Sequence, residues 1–113
     1  MGGLERFMTG LKELGLECEQ RGQLVVVTLD VSPPDLPGPH LVGADPPPDF
    51  PNIPPHWLHL RSEFALPEGK SRESELGPGW RKWSRKHPKW PPGAGARDWL
   101  AHARSLLLVA YKA

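Results

Sequence analysis

Residues that can do chemistry are concentrated in one short segment, the stretch WRKWSRKHPKWPP at residues 80–92. It contains Ser84 and, three residues later, His87, whose imidazole can change charge near neutral pH and so act as a base. Three tryptophans and five Lys or Arg residues surround this pair. Such cations can stabilise a developing oxyanion or attract an acidic partner, and cations between indole rings also suit single-stranded nucleic acid.

The charge of the chain is divided between its two parts. Residues 1–79 hold six Lys or Arg against twelve Asp or Glu, a net charge of −6, whereas residues 80–113 hold eight against one, a net charge of +7. The formal net charge of +1 is therefore a cancellation. The basic part can bind an acidic partner or pair with the acidic part of the same chain. Because the acidic part opposes binding to a polyanion, nucleic-acid binding is the least favoured of the functions that this segment suggests.

Length and composition indicate a single folded domain. A length of 113 residues predicts a single domain over residues 1–113. Fifteen Pro and twelve Gly approach the composition of a disordered chain, but five Trp supply a burial capacity that disordered chains lack. No apolar run is long enough to span a membrane, so we expect a cytoplasmic protein with no membrane partner. A single cysteine, Cys18, excludes an internal disulfide and a cysteine-rich zinc site, and we expect no cofactor or metal.

The first half of the chain predicts a helix followed by strands. Apolar residues recur at helical spacing across roughly residues 3–15, and Gly15 is a natural stop. The β-branched run at residues 23–31 and the shorter run at residues 40–44 predict two strands of an antiparallel meander. The predicted apolar stripe of the helix consists of Leu4, Phe7, Met8, Leu11 and Leu14.

The second half predicts an irregular connection, a strand and a closing helix. Six prolines at residues 45–55 exclude helix and interior strand, so this stretch is predicted to be an ordered crossing that Phe50 and Ile53 anchor to the core. Residues 56–64 alternate like a strand whose register stays open, and residues 66–79 are predicted to be an exposed loop. The basic tryptophan segment, residues 80–92, is predicted to be a further loop. Asp98 is a candidate cap of a helix running to about residue 111. The order of elements indicates an α+β fold.

Two motifs resemble a known family. The string FPNIPPHWL at residues 50–58 resembles the aromatic-Pro-x-x-Pro-Pro signature of ubiquitin-conjugating enzymes. The string WRKWSR at residues 80–85, followed by Trp90 and Asp98, is similar to the Trp-x-x-Trp-Ser-Arg-His pattern of a cysteine-lacking bacterial branch, prokaryotic family E. Lys86 stands where that branch has its histidine, and the His-Pro-Asn motif and catalytic cysteine of classical members are absent.

The resemblance implies a fold, partners and a reaction. The implied fold is the ubiquitin-conjugating one, with an N-terminal helix, a small antiparallel meander, a proline-rich crossing and a C-terminal helix. The implied partners are a ubiquitin-like protein, an adenylating enzyme and a metallopeptidase from the same operon, in a bacterial pathway of antiphage defence. Cys18 lies too early in the chain to be the family's nucleophile. A carrier of this kind would therefore hold the ubiquitin-like C-terminus on serine, as an oxyester, before passing it to a target.

The motifs nominate residues for this site. Aligning Trp90 with the tryptophan before the family's next helix makes Ser84 the candidate nucleophile, supported by His87 and Arg85. A second alignment nominates Ser74 instead. The residues predicted to bind partners are Trp80, Arg81, Lys82 and Lys86.

Alternatives from the residues alone stay open. Ser84 can be a surface hydroxyl bonded to nearby backbone, and the chain is then a non-catalytic variant that only binds the ubiquitin-like protein or the adenylating enzyme. The histidines outside the segment, His40, His56, His59 and His102, are predicted to be structural. Three tryptophans are predicted to lie largely in the core, namely Trp57, Trp83 and Trp99.

Overall fold

The computed structural model describes residues 2–30, 38–62, 64, 71–85 and 87–112. In these residues two helices share one hydrophobic core with a six-stranded antiparallel sheet, so the predicted α+β class is confirmed. The elements are α1 (Gly3–Glu13), β1 (Cys18–Arg21), β2 (Leu24–Leu29), β3 (His40–Ala44), β4 (Trp57–Arg61), β5 (Ser71–Glu73), β6 (Trp80–Ser84) and α2 (Ala96–Lys112).

Helix α1 forms as the apolar spacing predicts. Phe7 and Leu11 are fully buried in the core, and the other members of the stripe pack around its edge. The helix ends because Gly15 adopts a left-handed conformation, with φ of +84°, that a residue with a Cβ rarely adopts. The N–H of Gly15 then donates to the Lys12 carbonyl and the N–H of Leu16 to the Leu11 carbonyl, which is the Schellman arrangement.

The sheet is a meander extended by a hairpin. Its spatial order is β1-β2-β3-β4-β6-β5, so β6 lies between β4 and β5. Strands β2 and β3 form where the β-branched runs predict them, and the residues of β2 are almost all buried. Strand β1 was not predicted, because its sequence CEQR is polar and it forms only by pairing with β2 across the tight turn at Gly22.

The register of β4, which the sequence leaves open, is decided by the core. Leu58 and Leu60 point into the core that contains the helices, and we call this face of the sheet the helix side. Because side chains alternate along a strand, Trp57, His59 and Arg61 point to the opposite face, the outer side. Trp57 is only half-buried there, so the expectation that it belongs to the core is wrong.

The basic tryptophan segment begins as a strand and not as the expected loop. Trp80–Ser84 forms β6, because Trp83, 1 % exposed, packs into the core beside its cross-strand neighbour Leu58. The predicted exposed loop at residues 66–79 also contains a strand, β5, which pairs with β6. Residues 66–70 of that predicted loop lie outside the described residues.

The proline-rich crossing is ordered by aromatic contacts. The ring of Phe50 meets that of Phe7 edge-on at 5.1 Å between centroids, and Trp90 Nε1 donates a hydrogen bond of 2.7 Å to the Pro51 carbonyl. Ile53, which was expected to be a second anchor, is 43 % exposed.

The start of helix α2 differs in detail from the prediction. The helix begins at Ala96, so Asp98 lies within its first turn and does not cap it from outside. Asp98 Oδ2 accepts a 2.9 Å hydrogen bond from the N–H of Gly95, which is the carboxylate half of a capping box. Trp99, predicted to be core, is 2 % exposed and contacts Phe7 edge-on.

Candidate functional site

The sheet brings Ser84 and His56 together although 28 positions separate them in the chain. Ser84 ends β6, His56 immediately precedes β4, and Trp57 and Ser84 are paired across the two strands. His56 Nε2 and Ser84 Oγ lie 2.6 Å apart. With the imidazole neutral and its proton on Nδ1, Nε2 accepts the hydroxyl proton of Ser84, which is the geometry of a nucleophile and its base.

Main-chain hydrogen bonds between β4 and β6 fix the position of His56 relative to Ser84. The N–H of Arg85 donates a 3.2 Å hydrogen bond to the carbonyl of His56, which extends the pairing of β4 and β6 by one residue. The His56 ring lies 5.0 Å from the ring of Trp57, at a tilt of 34°. Ser84 is half-buried and His56 exposed, so the pair is open to a substrate from solvent.

Asp45 places a carboxylate beside the pair. It follows the last residue of β3, and its Oδ1 accepts a 3.0 Å hydrogen bond from the N–H of Trp57. Burial raises the pKa of Asp45, while that N–H and the nearby charges of His56 and Lys82 act in the opposite direction. The carboxylate is therefore within electrostatic reach of the His56 imidazole.

Cations lie on the outer side around Trp57. Lys82 Nζ lies 4.7 Å and the Arg72 guanidinium carbon 5.8 Å from the centre of the Trp57 ring. Lys82 also forms an ion pair with Glu75, and this hydrogen bond lowers the pKa of the Glu75 carboxyl.

Arg85 adds a further cation next to the serine. Its guanidinium lies over the Trp83 ring at 4.4 Å, and its Nη1 donates a 2.9 Å hydrogen bond to the Ser84 carbonyl. Of the two residues predicted to support Ser84, Arg85 thus contacts it directly through the main chain.

His87, the predicted base, is directed elsewhere. Its Nδ1 accepts a hydrogen bond of 3.1 Å from the N–H of Lys89, and its ring packs against Trp90 and His102. Burial, followed by the charge of His102, lowers the pKa of His87. The imidazole that contacts Ser84 is His56, so the assignment of His87 as the base is corrected.

Ser74, the alternative nucleophile, is buried on the outer side of the sheet and its hydroxyl is already hydrogen-bonded. It is 7 % exposed, and its Oγ lies 2.7 Å from Nδ1 of His59 and accepts the N–H of Leu76 at 3.0 Å. His59 is 1 % exposed, and burial lowers its pKa to about 4, so this imidazole stays neutral at pH 7. The hydrogen bond between Ser74 and His59 holds residues 74–76 against the sheet. Of the two candidate nucleophiles, Ser84 is the more accessible.

Sequence reasoning missed His56 because it compared this histidine only with residues close to it in the chain. The signal that could have found it is the pairing of two strands. If Trp83 shares a layer with Leu58, an antiparallel register places Ser84 beside Trp57 and next to His56. The residues next to His56 in the sequence do not specify the pairing of β4 with β6.

The residues predicted to bind partners are separated by the fold. Trp80 is 5 % exposed, with the Arg61 guanidinium over its ring, so the expectation that Trp80 contacts a partner is corrected. Arg81 donates to the carbonyl of Ser71, which ties it to β5. Lys82 lies on the outer side beside Ser84, and Lys86 lies outside the described residues.

Other sites suggested by residue type are weak. Across the described ranges, no group of three His, Cys, Asp or Glu residues is placed to hold a metal ion. Cys18 lies in edge strand β1, with three strands between it and β6, and burial raises the pKa of its thiol. No helix in the described part of the chain is long and apolar enough to cross a membrane.

Comparisons of the chain with models of protein families, with curated proteins and with solved structures find no match.

Proposed function

We propose that this chain is a carrier in a bacterial ubiquitin-like conjugation pathway and holds the C-terminus of a ubiquitin-like protein as an oxyester on Ser84. The observation that carries the proposal is the 2.6 Å contact between Ser84 Oγ and His56 Nε2. A serine hydroxyl is a weak nucleophile at neutral pH unless an adjacent base takes its proton. His56 meets that requirement by position.

The arrangement of the two family-like motifs supports the ubiquitin-conjugating fold. The proline-rich string lies between β3 and β4, after an N-terminal helix and a meander, in the order that the resemblance implies. His56 belongs to this first motif and Ser84 to the second, and pairing of β4 with β6 joins them. Each motif thus supplies one half of the proposed site.

The proposed reaction is acyl transfer. An adenylating enzyme uses ATP to present the ubiquitin-like C-terminus as an activated acyl group. Ser84 Oγ attacks its carbonyl carbon, His56 Nε2 takes the hydroxyl proton, and the bond to the leaving group breaks as that group takes the proton from His56. An amine of the target then attacks the ester, and Ser84 recovers its proton. Lys82 and Arg85 supply positive charge near the developing oxyanion.

The test combines the purified chain with ATP and with the ubiquitin-like protein and adenylating enzyme whose genes, under this proposal, adjoin its own. We expect an adduct that hydroxylamine or base removes, and we expect Ser84→Ala to abolish it. Ser84→Cys should convert it to a thioester that a thiol reductant also cleaves. Ser105→Ala is the matched control, because Ser105 is an exposed serine on α2 whose hydroxyl donates to the Ala101 carbonyl.

Two results would overturn the proposal. An adduct that survives in both Ser84→Ala and Ser74→Ala means that neither serine is the nucleophile. A stable complex with either partner that never yields an adduct favours the non-catalytic binding variant.

The burial of two of the three indoles in residues 80–92 opposes nucleic-acid binding by that segment. Trp80 and Trp83 are 5 % and 1 % exposed, so neither ring can stack on a base without leaving its packing.

A further inference from the structure

Three polar residues meet at one end of the sheet. Strand β3 ends just before Asp45, β4 begins just after His56, and β6 ends at Ser84. Since β3, β4 and β6 are consecutive antiparallel neighbours, these three ends lie side by side. A carboxylate, an imidazole and a hydroxyl are thereby brought into one row by long-range pairing.

The row combines one short side-chain contact with one electrostatic interaction. Ser84 Oγ lies 2.6 Å from His56 Nε2, which leaves Nδ1 of the same ring to face other groups. Asp45 Oδ1 accepts the N–H of Trp57, the residue that follows His56, and the carboxylate is within electrostatic range of the His56 imidazole. A carboxylate so placed stabilises the imidazolium that forms when His56 takes the serine proton.

The charges around the row favour negative charge on a bound substrate. Lys82 and Arg72 flank Trp57 from β6 and β5, and Arg85 follows Ser84. Glu75 is the acidic group paired with Lys82. A carbonyl oxygen that becomes negative next to Ser84 is thus close to positive charge, which lowers the barrier to acyl transfer.

We propose that Asp45, His56 and Ser84 form a triad that gives this chain an intrinsic activity toward small activated acyl esters, without any partner protein. The inference rests on Ser84 being the nucleophile of the proposed function and extends its substrates to small esters. Ser84 is half-buried at the surface and His56 is exposed, so a small ester reaches the hydroxyl directly.

The reaction balances with ester and water alone. Ser84 Oγ forms a bond to the ester carbonyl carbon, its proton moves to His56 Nε2, and the carbon–oxygen bond to the leaving phenolate breaks. The phenolate then takes up that proton or remains ionised while the proton passes to water. Water next attacks the acyl-serine, His56 accepts a proton from this water, and the carboxylic acid leaves as Ser84 is reprotonated.

The experiment uses p-nitrophenyl acetate as the probe and the full chain alone. We expect a burst of p-nitrophenolate and an acetyl group that peptide mass mapping places on Ser84. Ser84→Ala should lose both, and His56→Gln should slow acetylation by about 100-fold, the typical contribution of a positioned base. Ser105→Ala, the exposed serine on α2, should acetylate like the wild type.

Asp45→Asn tests the effect of the negative charge of Asp45 separately from its hydrogen bond. The amide oxygen can still accept the Trp57 N–H, so the local structure is retained while the negative charge is removed. We expect acetylation about tenfold slower, the effect of losing about 1.4 kcal/mol of electrostatic stabilisation of the imidazolium, at unchanged thermal stability. Equal rates in Asp45→Asn and wild type would remove Asp45 from the triad, and equal rates in Ser84→Ala and wild type would overturn the inference as a whole.

The two proposals fail separately. Acetylation of Ser84 with no ubiquitin-like adduct leaves the intrinsic activity and removes the carrier function. An adduct on Ser84 with no acetylation by the ester leaves the carrier function and overturns the intrinsic activity.

Discussion

Trp57 and Ser84 face each other across β4 and β6, and this pairing determines which histidine reaches the serine. His56 precedes Trp57 by one residue, and its carbonyl accepts the N–H of Arg85. The imidazole is thereby held 2.6 Å from the hydroxyl. His87 is nearer in sequence, but its ring packs against Trp90.

Replacement of the two histidines should separate their roles. We expect His56→Gln to slow formation of the ubiquitin-like adduct by about 100-fold, because the hydroxyl loses its base. His87→Gln should form the adduct at the wild-type rate. The measurement is a time course of adduct formation on denaturing gels, and a loss confined to His87→Gln would restore the assignment made from sequence.

Ser74→Ala should affect stability and leave chemistry intact. Its hydroxyl bonds to His59 and to the N–H of Leu76 in a buried setting, so its removal leaves buried polar groups without a partner. We expect the free energy of unfolding in urea to fall by about 1–3 kcal/mol. Ser105→Ala, an exposed serine, should change it by less than about 0.5 kcal/mol. An unchanged stability in Ser74→Ala would contradict the fastening role of this pair.

His59 should make the protein less stable in acid. Its pKa is about 4 when folded, below the ordinary value of 6.5, so between these pH values the unfolded chain binds a proton that the folded chain does not. The contribution of neutral His59 to the free energy of unfolding is therefore complete above about pH 6.5. As the pH falls toward 4, the free energy of unfolding decreases by about 3 kcal/mol because of this residue.

The check compares unfolding in urea at several pH values for the wild type and His59→Gln. Other groups titrate in both proteins, so the difference between the two curves isolates His59. We expect the wild type to lose stability more steeply between pH 6.5 and 4. Parallel curves would show that His59 is not held neutral by burial.

Gly3→Ala should disrupt the packing of helix α1 against the proline-rich crossing. A Cβ at Gly3 would collide with the carbonyl oxygen of Pro47 and lie 2.9 Å from that of Pro48, and backbone atoms cannot move away cheaply. We expect a loss of about 1–3 kcal/mol in the free energy of unfolding. Gly2→Ala is the matched control, because the nearest atom to its Cβ would lie 3.9 Å away. Equal effects of the two substitutions on thermal unfolding would contradict this close approach.

The sequence by itself determined the elements whose signals are local. Helical spacing defined the stripe around Phe7 and Leu11, β-branched residues defined β2, and proline density excluded regular structure at residues 45–55. Each of these signals depends on neighbours a few residues apart, so backbone preference and side-chain alternation are sufficient to predict it.

Only the tertiary structure decided the register of β4, the strand character of Trp80–Ser84 and the partner of Ser84. These depend on the packing of Trp83 against Leu58, in a core assembled from both ends of the chain. The alternation of a strand defines two faces but does not say which one is buried or which distant strand pairs with it. The motif therefore nominated Ser84 as the candidate serine, whereas the imidazole and the carboxylate near it are brought there by the pairing of strands.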